Sequence, residues 1–182
     1  MLAKVHSGAV VGLDAVPVEV EVDLTKRGMP AFTIVGLGNK AVQEAKERVT
    51  SAIINSSADF PKYRLTVNLA PADLPKEGPA YDLPIALGTL IVNGQIPEST
   101  ELNESLVLGE LSLDGTLRPT PGALPLTLLA KEQGLKQVFL PAVNSKEAAI
   151  VSGISVFPVS SLSELFYHFV DLKKISPHPK VS

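Results

Sequence analysis

A chain of 182 residues with 45% hydrophobic content is long enough to bury the core of one domain, or of two small ones. It contains no cysteine, which excludes disulfide frameworks, thiolate zinc sites and cysteine nucleophiles. A net charge of −3 argues against a protein whose whole surface binds nucleic acid, although a local basic patch is compatible with it. The apolar stretches fall short of the roughly 20 residues that a membrane span requires, so we expect a cytoplasmic protein that makes no use of a membrane.

Strand patterns dominate the start of the chain. Apolar and acidic residues alternate strictly over 18–23 (VEVEVD), which is the period of a strand with one buried and one solvated face. An earlier strand ends near Val11, and Asp14 with Pro17 predicts the hairpin connection between the two strands. A third strand covers residues 30–35.

The pattern then changes to that of a helix. Asn39 is the predicted N-cap, and Glu44 and Arg48 are spaced to pair at i,i+4 on the solvent side. One apolar stripe is formed by Val42, Ala45, Val49, Ala52 and Ile53. Residues 63–69 alternate as another half-buried strand, and the almost wholly apolar residues 83–93 predict a buried helix.

The second half repeats a strand and helix rhythm. We predict strands over 106–113, 137–140 and 154–158, and helices over 122–133, 145–151 and 161 to about 172. Ser161 is the predicted cap of the last helix, with Glu164 at the capping-box position. The tail that follows contains Pro177 and Pro179, which is typical of a linker.

A glycine motif follows the third strand. Gly36, Gly38 and Ala41 match G-x-G-x-x-A between a strand and a helix, where a dinucleotide pyrophosphate would sit on helix N-terminal amides. The dinucleotide fingerprint also needs an acidic residue at the end of the next strand, and that strand ends in Asn-Leu-Ala at 68–70. A tight strand-to-helix turn is therefore the favoured interpretation, with nucleotide binding as the alternative.

Other common sites have little support. No glycine is followed by lysine, so a Walker A loop is absent from the chain. His6, His168 and His178 are far apart in sequence and are interpreted as surface or packing residues.

Three carboxylates, of Asp73, Glu77 and Asp82, surround the proline-rich loop 75–82. They could form an acid/base or metal pair, but the favoured interpretation is that Asp82 caps the helix that follows, where its charge meets the helix dipole.

The segments NLAPADLPKEGPAYDLP at 68–84 and GELSLDG at 109–115 resemble the N-terminal domain of Mg-chelatase-like AAA+ ATPases of the ComM/YifB type. The resemblance extends from Met1 to about Leu172. It implies an α/β fold like the Lon protease proteolytic domain and domain 2 of ribosomal protein S5, with a mixed sheet packed with helices. It also implies that 1–172 form this domain and that 173–182 lead towards a missing AAA+ ATPase domain, where ATP and magnesium would bind.

The resemblance also identifies two positions at which chemistry would be expected. Lon-type proteases use a serine and lysine dyad, and in this sequence the two positions hold Ala80 and Leu126. A methyl and an isobutyl group provide neither hydroxyl nor base, so the dyad reaction cannot occur. Ser112, Lys76 and Lys131 are the alternative candidates for such a pair, but their spacing does not bring a lysine beside the serine.

Two functional hypotheses remain open. In the first, the chain is a non-catalytic, cofactor-free module that helps a homo-oligomeric ATPase ring assemble or engage DNA during recombination or natural transformation, as the resemblance implies. In the second, it is part of an enzyme, either a metal chelatase component or a cryptic Ser/Lys hydrolase. The lack of a nucleophile pair and a phosphate loop favours the first hypothesis.

Candidate DNA contacts come from one helix and the adjacent strand. They are Lys40, Lys46, Arg48, Lys62 and Arg64. The competing interpretation is that these residues are ordinary solvated charges, partly paired with Glu44 and Glu47.

Overall fold

A computed structural model describes residues 1–74, 76 and 78–180. Its strands are β1 (Leu2–Val11), β2 (Asp14–Thr25), β3 (Ala31–Val35), β4 (Arg64–Ala70), β5 (Ser105–Val107), β6 (Glu110–Leu111), β7 (Leu117–Arg118), β8 (Gln137–Pro141) and β9 (Ser155–Val159). Its α-helices are α1 (Asn39–Asn55), α2 (Asp82–Val92), α3 (Thr100–Asn103), α4 (Ala123–Glu132), α5 (Ser145–Ala148) and α6 (Leu162–Phe169). Short 3₁₀ helices span Pro79–Tyr81 and Ala142–Asn144.

A seven-stranded sheet in the order β3-β4-β2-β1-β5-β8-β9 forms the centre of the molecule. β2 pairs antiparallel with β1 and β4, while β3/β4, β1/β5, β5/β8 and β8/β9 are parallel. β6 and β7 form a separate antiparallel hairpin. The predicted mixed sheet packed with helices is therefore confirmed.

Helices cover this sheet on both sides. One core, which includes the buried faces of α1, α2 and α6, receives Val107 of β5. The other, beneath α4 and α5, receives the preceding residue Leu106, because successive strand residues point to opposite faces. Every residue of α2 is buried, and a Cβ on Gly88 would lie 2.6 Å from a Val22 methyl group, so this glycine allows the helix to lie directly on the sheet.

Two strand predictions differ from the structure. The hairpin turn falls on Gly12 and Leu13, with Gly12 at φ +63°, and Asp14 and Pro17 lie inside β2. Pro17 fits because β4 ends opposite Glu19, so no β4 carbonyl faces the missing N–H. The predicted strand 106–113 breaks at Gly109 into β5 and β6, which belong to different sheets.

Further comparisons concern helix ends. Ser161 accepts a hydrogen bond from the Glu164 N–H at 3.1 Å, which confirms the predicted cap. The prediction of Asn39 as a cap is wrong: Gly38 is the N-cap and Asn39 begins α1. The last helix ends at Phe169, short of the predicted Leu172. Asp171, which lies between them, adopts a φ of +60°.

The predicted linker has no regular secondary structure over residues 173–180, yet it lies against the domain. The Ile175 N–H donates to His168 Nδ1 at 2.9 Å, and the His178 N–H donates to the Val156 carbonyl at 2.7 Å. Contacts of the domain therefore continue past Leu172. No helix in the described part of the chain has the length and apolarity to cross a bilayer.

Candidate functional site

The loop after β4 is held by a buried lysine. Lys76 is 6% exposed, and its Nζ donates to the carbonyls of Pro71 and, at 2.9 Å, Leu74. A buried ammonium group is stable only when such acceptors surround it. Lys76 therefore organises the loop. Two residues of the same predicted loop, Pro75 and Glu77, lie outside the described residues. The predicted role of the Glu77 carboxylate therefore stays a prediction.

Asp82, at the start of α2, makes different contacts from those predicted. The N-cap position is Tyr81, without a side-chain cap bond, so the prediction that Asp82 caps the helix is wrong, whereas its predicted place near the positive end of the helix dipole is confirmed because it lies in the first turn. Its carboxylate accepts hydrogen bonds from Arg48 Nε at 2.6 Å and Nη2 at 3.2 Å, and from the Leu111 N–H at 3.1 Å. The Asp82 side chain is 1% exposed, and burial raises its pKa to about 6 although Arg48 acts in the opposite direction. This network joins α1, α2 and β6.

Two backbone hydrogen bonds also hold this loop in place. The Gly109 N–H donates to the Ala80 carbonyl at 2.8 Å, and the Leu83 N–H donates to the Gly109 carbonyl at 3.0 Å. The N–H and the carbonyl of Gly109 therefore both hold the backbone at Ala80 to Leu83 in place.

A cleft of about 460 Å³ opens beside this loop. Its lining includes Ala80 and Leu126, so the structure brings together the two positions that the sequence identified. Leu126 is 2% exposed, and a Cβ on Gly8 would lie 2.8 Å from one of its methyl groups. The space that a basic side chain would occupy is thus filled by a packed isobutyl group.

Two of the remaining polar side chains of the cleft, Thr120 and Glu110, have structural partners. The Thr120 hydroxyl donates to the Arg118 carbonyl and accepts from the Glu110 N–H, both at 3.4 Å. The Glu110 carboxylate lies 3.9 Å from Arg118 Nε. Burial raises the pKa of Tyr81 to about 12, still further above neutral pH than its ordinary value. Among the described lining residues, no hydroxyl lies beside a lysine or histidine base.

The three alternative candidates for a Ser/Lys pair lie in separate places. Ser112 belongs to the turn of the β6–β7 hairpin, where its N–H donates to the Thr116 carbonyl. Lys131 is at the end of α4 and lines a different depression with Gly153 and Lys180. Lys76 is bound inside its loop.

The glycine motif has a packing explanation. Gly36 adopts a φ of +107°, and a Cβ there would lie 2.8 Å from the Leu69 carbonyl oxygen and 3.2 Å from Lys76 Cε. A side chain is excluded because the turn passes against the end of β4. This geometry supports the strand-to-helix turn rather than a phosphate cradle.

The described residues contain no group of three His, Cys, Asp or Glu that could hold a metal ion. Asp73 is exposed whereas Asp82 is buried with Arg48, so these two carboxylates do not form an acid/base pair. His168 is a buried packing residue whose Nε2 lies 2.9 Å from Glu101 Oε2.

The five candidate DNA contacts divide into two groups. Arg48 is occupied by Asp82, and Lys40 lies 4.0 Å from Glu44 at the first turn of α1. Lys46 lies over the Phe32 ring at 5.9 Å, and Lys62 and Arg64 are exposed at the start of β4. Arg48 is therefore removed from the group as a correction, since its guanidinium is engaged inside the domain.

Sequence reasoning missed two exposed cations, Lys26 and Arg27, which follow β2. They lie close to Arg64 because Thr25 is the β2 partner of that residue. A signal was present in the sequence, since residues 24–43 contain no Asp or Glu.

Comparison with known proteins supports one family. The model of the family described as subunit ChlI of Mg-chelatase matches residues 20–144. Competence protein ComM of Haemophilus influenzae is 41% identical over 164 residues, 90% of this chain and 32% of that protein. The uncharacterized protein YifB of Escherichia coli is 44% identical over 152 residues, 84% of this chain and 29% of that protein.

A more distant similarity connects the chain to proteases. The Lon protease of Mycoplasmopsis agalactiae is 22% identical over 186 residues, 95% of this chain and 18% of that protein. The chain spans about a third of the length of the ComM and YifB relatives. The family match covers most of the mixed sheet and the loop that lines the cleft, and on this basis the chain belongs to the family of the Mg-chelatase subunit ChlI.

Proposed function

We propose that this chain is a non-catalytic N-terminal module of a Mg-chelatase-like AAA+ ATPase, with a fold of the Lon proteolytic-domain and ribosomal S5 domain 2 type. In this proposal it assists homo-oligomeric ring assembly or DNA engagement during ATP-driven DNA recombination in the cytoplasm. The ATP and magnesium sites would lie in a separate ATPase domain.

One observation carries the non-catalytic part of the proposal. Ala80 and Leu126 line the same cleft, where a Ser/Lys dyad would need its hydroxyl and its amine. A nucleophile is activated only by a base within hydrogen-bond reach, and neither of these side chains can act in either role. The name of the Haemophilus relative, competence protein, supports a role in DNA uptake or recombination.

The test of this proposal uses a serine-reactive fluorophosphonate probe and an unstructured peptide substrate. We expect no covalent labelling of the chain and no peptide cleavage above a buffer control. A matched variant, Thr120→Val, removes the one aliphatic hydroxyl among the described side chains of the cleft lining, where the other hydroxyl is the Tyr81 phenol. Labelling of the wild-type chain that disappears in Thr120→Val would overturn the non-catalytic proposal.

A second candidate function is supported by the family description, which names a subunit of a chelatase. As a chelatase component the module would still act through a partner, since the described residues hold no metal-binding group of three. Magnesium insertion into a porphyrin by the full-length protein, lost when residues 1–172 are deleted, would favour this alternative.

A further inference from the structure

One end of the seven-stranded sheet concentrates positive charge on a chain whose net charge is −3. Residues 24–43 and 60–72 contain no Asp or Glu. These two segments carry Lys26, Arg27, Lys62 and Arg64, which we call the basic edge.

The sheet topology brings these four residues together. Arg64 opens β4 and is paired with Thr25 of β2 on one side and with Ala31 of β3 on the other. Because β4 lies between β2 and β3, the connection over residues 26–30 crosses the start of β4. Lys26 Nζ consequently lies 5.3 Å from the centre of the Tyr63 ring. All four cationic side chains are exposed.

The basic edge also lacks internal neutralisation. Among the described residues, none of its four cations forms an ion pair, whereas Lys4, Lys136 and Lys174 each do. The two β2 carboxylates nearest to the basic edge in sequence have other partners: Asp23 lies 3.7 Å from the Met1 amino group, and Glu21 accepts a hydrogen bond from Asn68. Like charges held together without counter-charges attract an external polyanion.

The arrangement of the four cations also indicates which kind of polyanion the basic edge would bind. The cations are solvated and come from two segments that meet along an edge, so they do not converge on a cavity that would enclose a compact anion. Such a row suits a long chain of phosphates that makes several separate contacts. Tyr63, which is 42% exposed within the row, adds an aromatic surface of the kind that unpaired bases stack on.

We propose that the basic edge binds the phosphodiester backbone of a nucleic acid without sequence preference. This inference rests on the DNA-engagement part of the proposed function and places that contact at the β2–β3 connection. Lys46 flanks the edge from α1, while Lys40 and Arg48 take no part.

Fluorescence anisotropy of the 182-residue chain with a labelled oligonucleotide, as a single strand and as a duplex, tests this proposal. With four phosphate contacts, the affinity for duplex should fall on the order of 100-fold between about 50 and 200 mM salt. The reversals Lys26→Glu/Arg27→Glu and Lys62→Glu/Arg64→Glu should each abolish measurable binding at the higher salt. The milder Lys62→Gln/Arg64→Gln should reduce the slope of log affinity against log salt by about 2 for a duplex.

A matched control is Lys131→Glu/Lys146→Glu, which makes the same change in net charge with exposed lysines of α4 and α5. Wild-type affinity in this control is expected. Equal losses in control and edge variants, unchanged binding in the edge variants, or binding to phosphatidylserine vesicles but not to nucleic acid would overturn the proposal. None of these outcomes affects the probe-labelling test, so the two proposals fail separately.

Discussion

Asp82 shows how one side chain can link three elements of the domain. Its carboxylate is almost completely buried and is bound by Arg48 of α1 and the Leu111 N–H of β6. Burial raises the pKa of this group to about 6 from an ordinary value of 3.8. Because the folded state holds the proton more tightly than the unfolded state, the stability contributed by the protonated group is present below about pH 4. It is lost as the pH rises through about 6.

Asp82→Asn should remove this dependence on pH. The amide oxygen keeps an acceptor for Leu111, and Arg48 can turn to solvent because its side chain is already 21% exposed. Urea denaturation measures the free energy of unfolding of wild type and variant. The advantage of the wild type over the variant should be larger at pH 4 than at pH 7.

Arg48→Met provides the comparison, since it leaves the buried carboxylate without its counter-charge. We expect it to cost roughly 3 kcal/mol or more at neutral pH, which is larger than the cost of Asp82→Asn. Equal costs for the two variants, or a pH-independent difference between Asp82→Asn and wild type, would contradict the role assigned to this pair.

At the scale of elements, the C-terminal segment 173–180 covers the free edge of the sheet. β9 is the last strand, and its Val156 carbonyl accepts the His178 N–H. Pro158 of the same strand has no N–H to offer, so the edge is protected against pairing with another chain. His168 anchors the segment: its Nδ1 accepts the Ile175 N–H, which requires that Nε2 carries the hydrogen donated to Glu101.

His168→Phe should release this segment while leaving the core packed. The ring would remain among Phe139, Phe157 and Phe169, but both hydrogen bonds would be lost. Hydrogen exchange of the Ile175 amide should become at least tenfold faster, while the Val107 amide in the central sheet should change little. His6→Gln, on β1, is the control and should leave both amides unchanged; unaltered exchange at Ile175 in His168→Phe would refute the anchoring role.

At the scale of the whole molecule, two cores share one sheet. Leu106 enters the core beneath α4 and Val107 enters the core beneath α2, although they are neighbours in β5. A strand that belongs to both cores couples their stability, since neither face can unpack without losing the pairing that holds the other. The chain should therefore unfold as one cooperative unit.

Leu126→Ala and Leu87→Ala place one cavity in each core. Each should lower the free energy of unfolding by about 2 to 5 kcal/mol and shift the same single transition. Coincident curves from far-UV circular dichroism and tyrosine fluorescence would support this expectation. Two separated transitions in either variant would show that the cores unfold independently.

Local patterns were sufficient for much of this protein. Alternation and helical periodicity predicted β2, α1, β4 and α2 to within about four residues, and Ser161 was identified as a cap because capping depends on neighbouring residues. The loop sequence around Ala80 identified the family, and the two positions that the resemblance assigns to a Ser/Lys dyad hold alanine and leucine.

Contacts between distant segments required the tertiary structure. The sequence could not reveal that Asp82 binds Arg48 rather than its own helix, because the two residues are 34 positions apart and local cap chemistry is the only rule that applies to Asp82 alone. It also could not place Lys26 beside Arg64, since strand order decides which segments share a sheet edge. The sequence by itself determined most of the elements, the family and the residue types at positions 80 and 126, whereas only the packing of those elements decided which charges are buried and which remain available for binding.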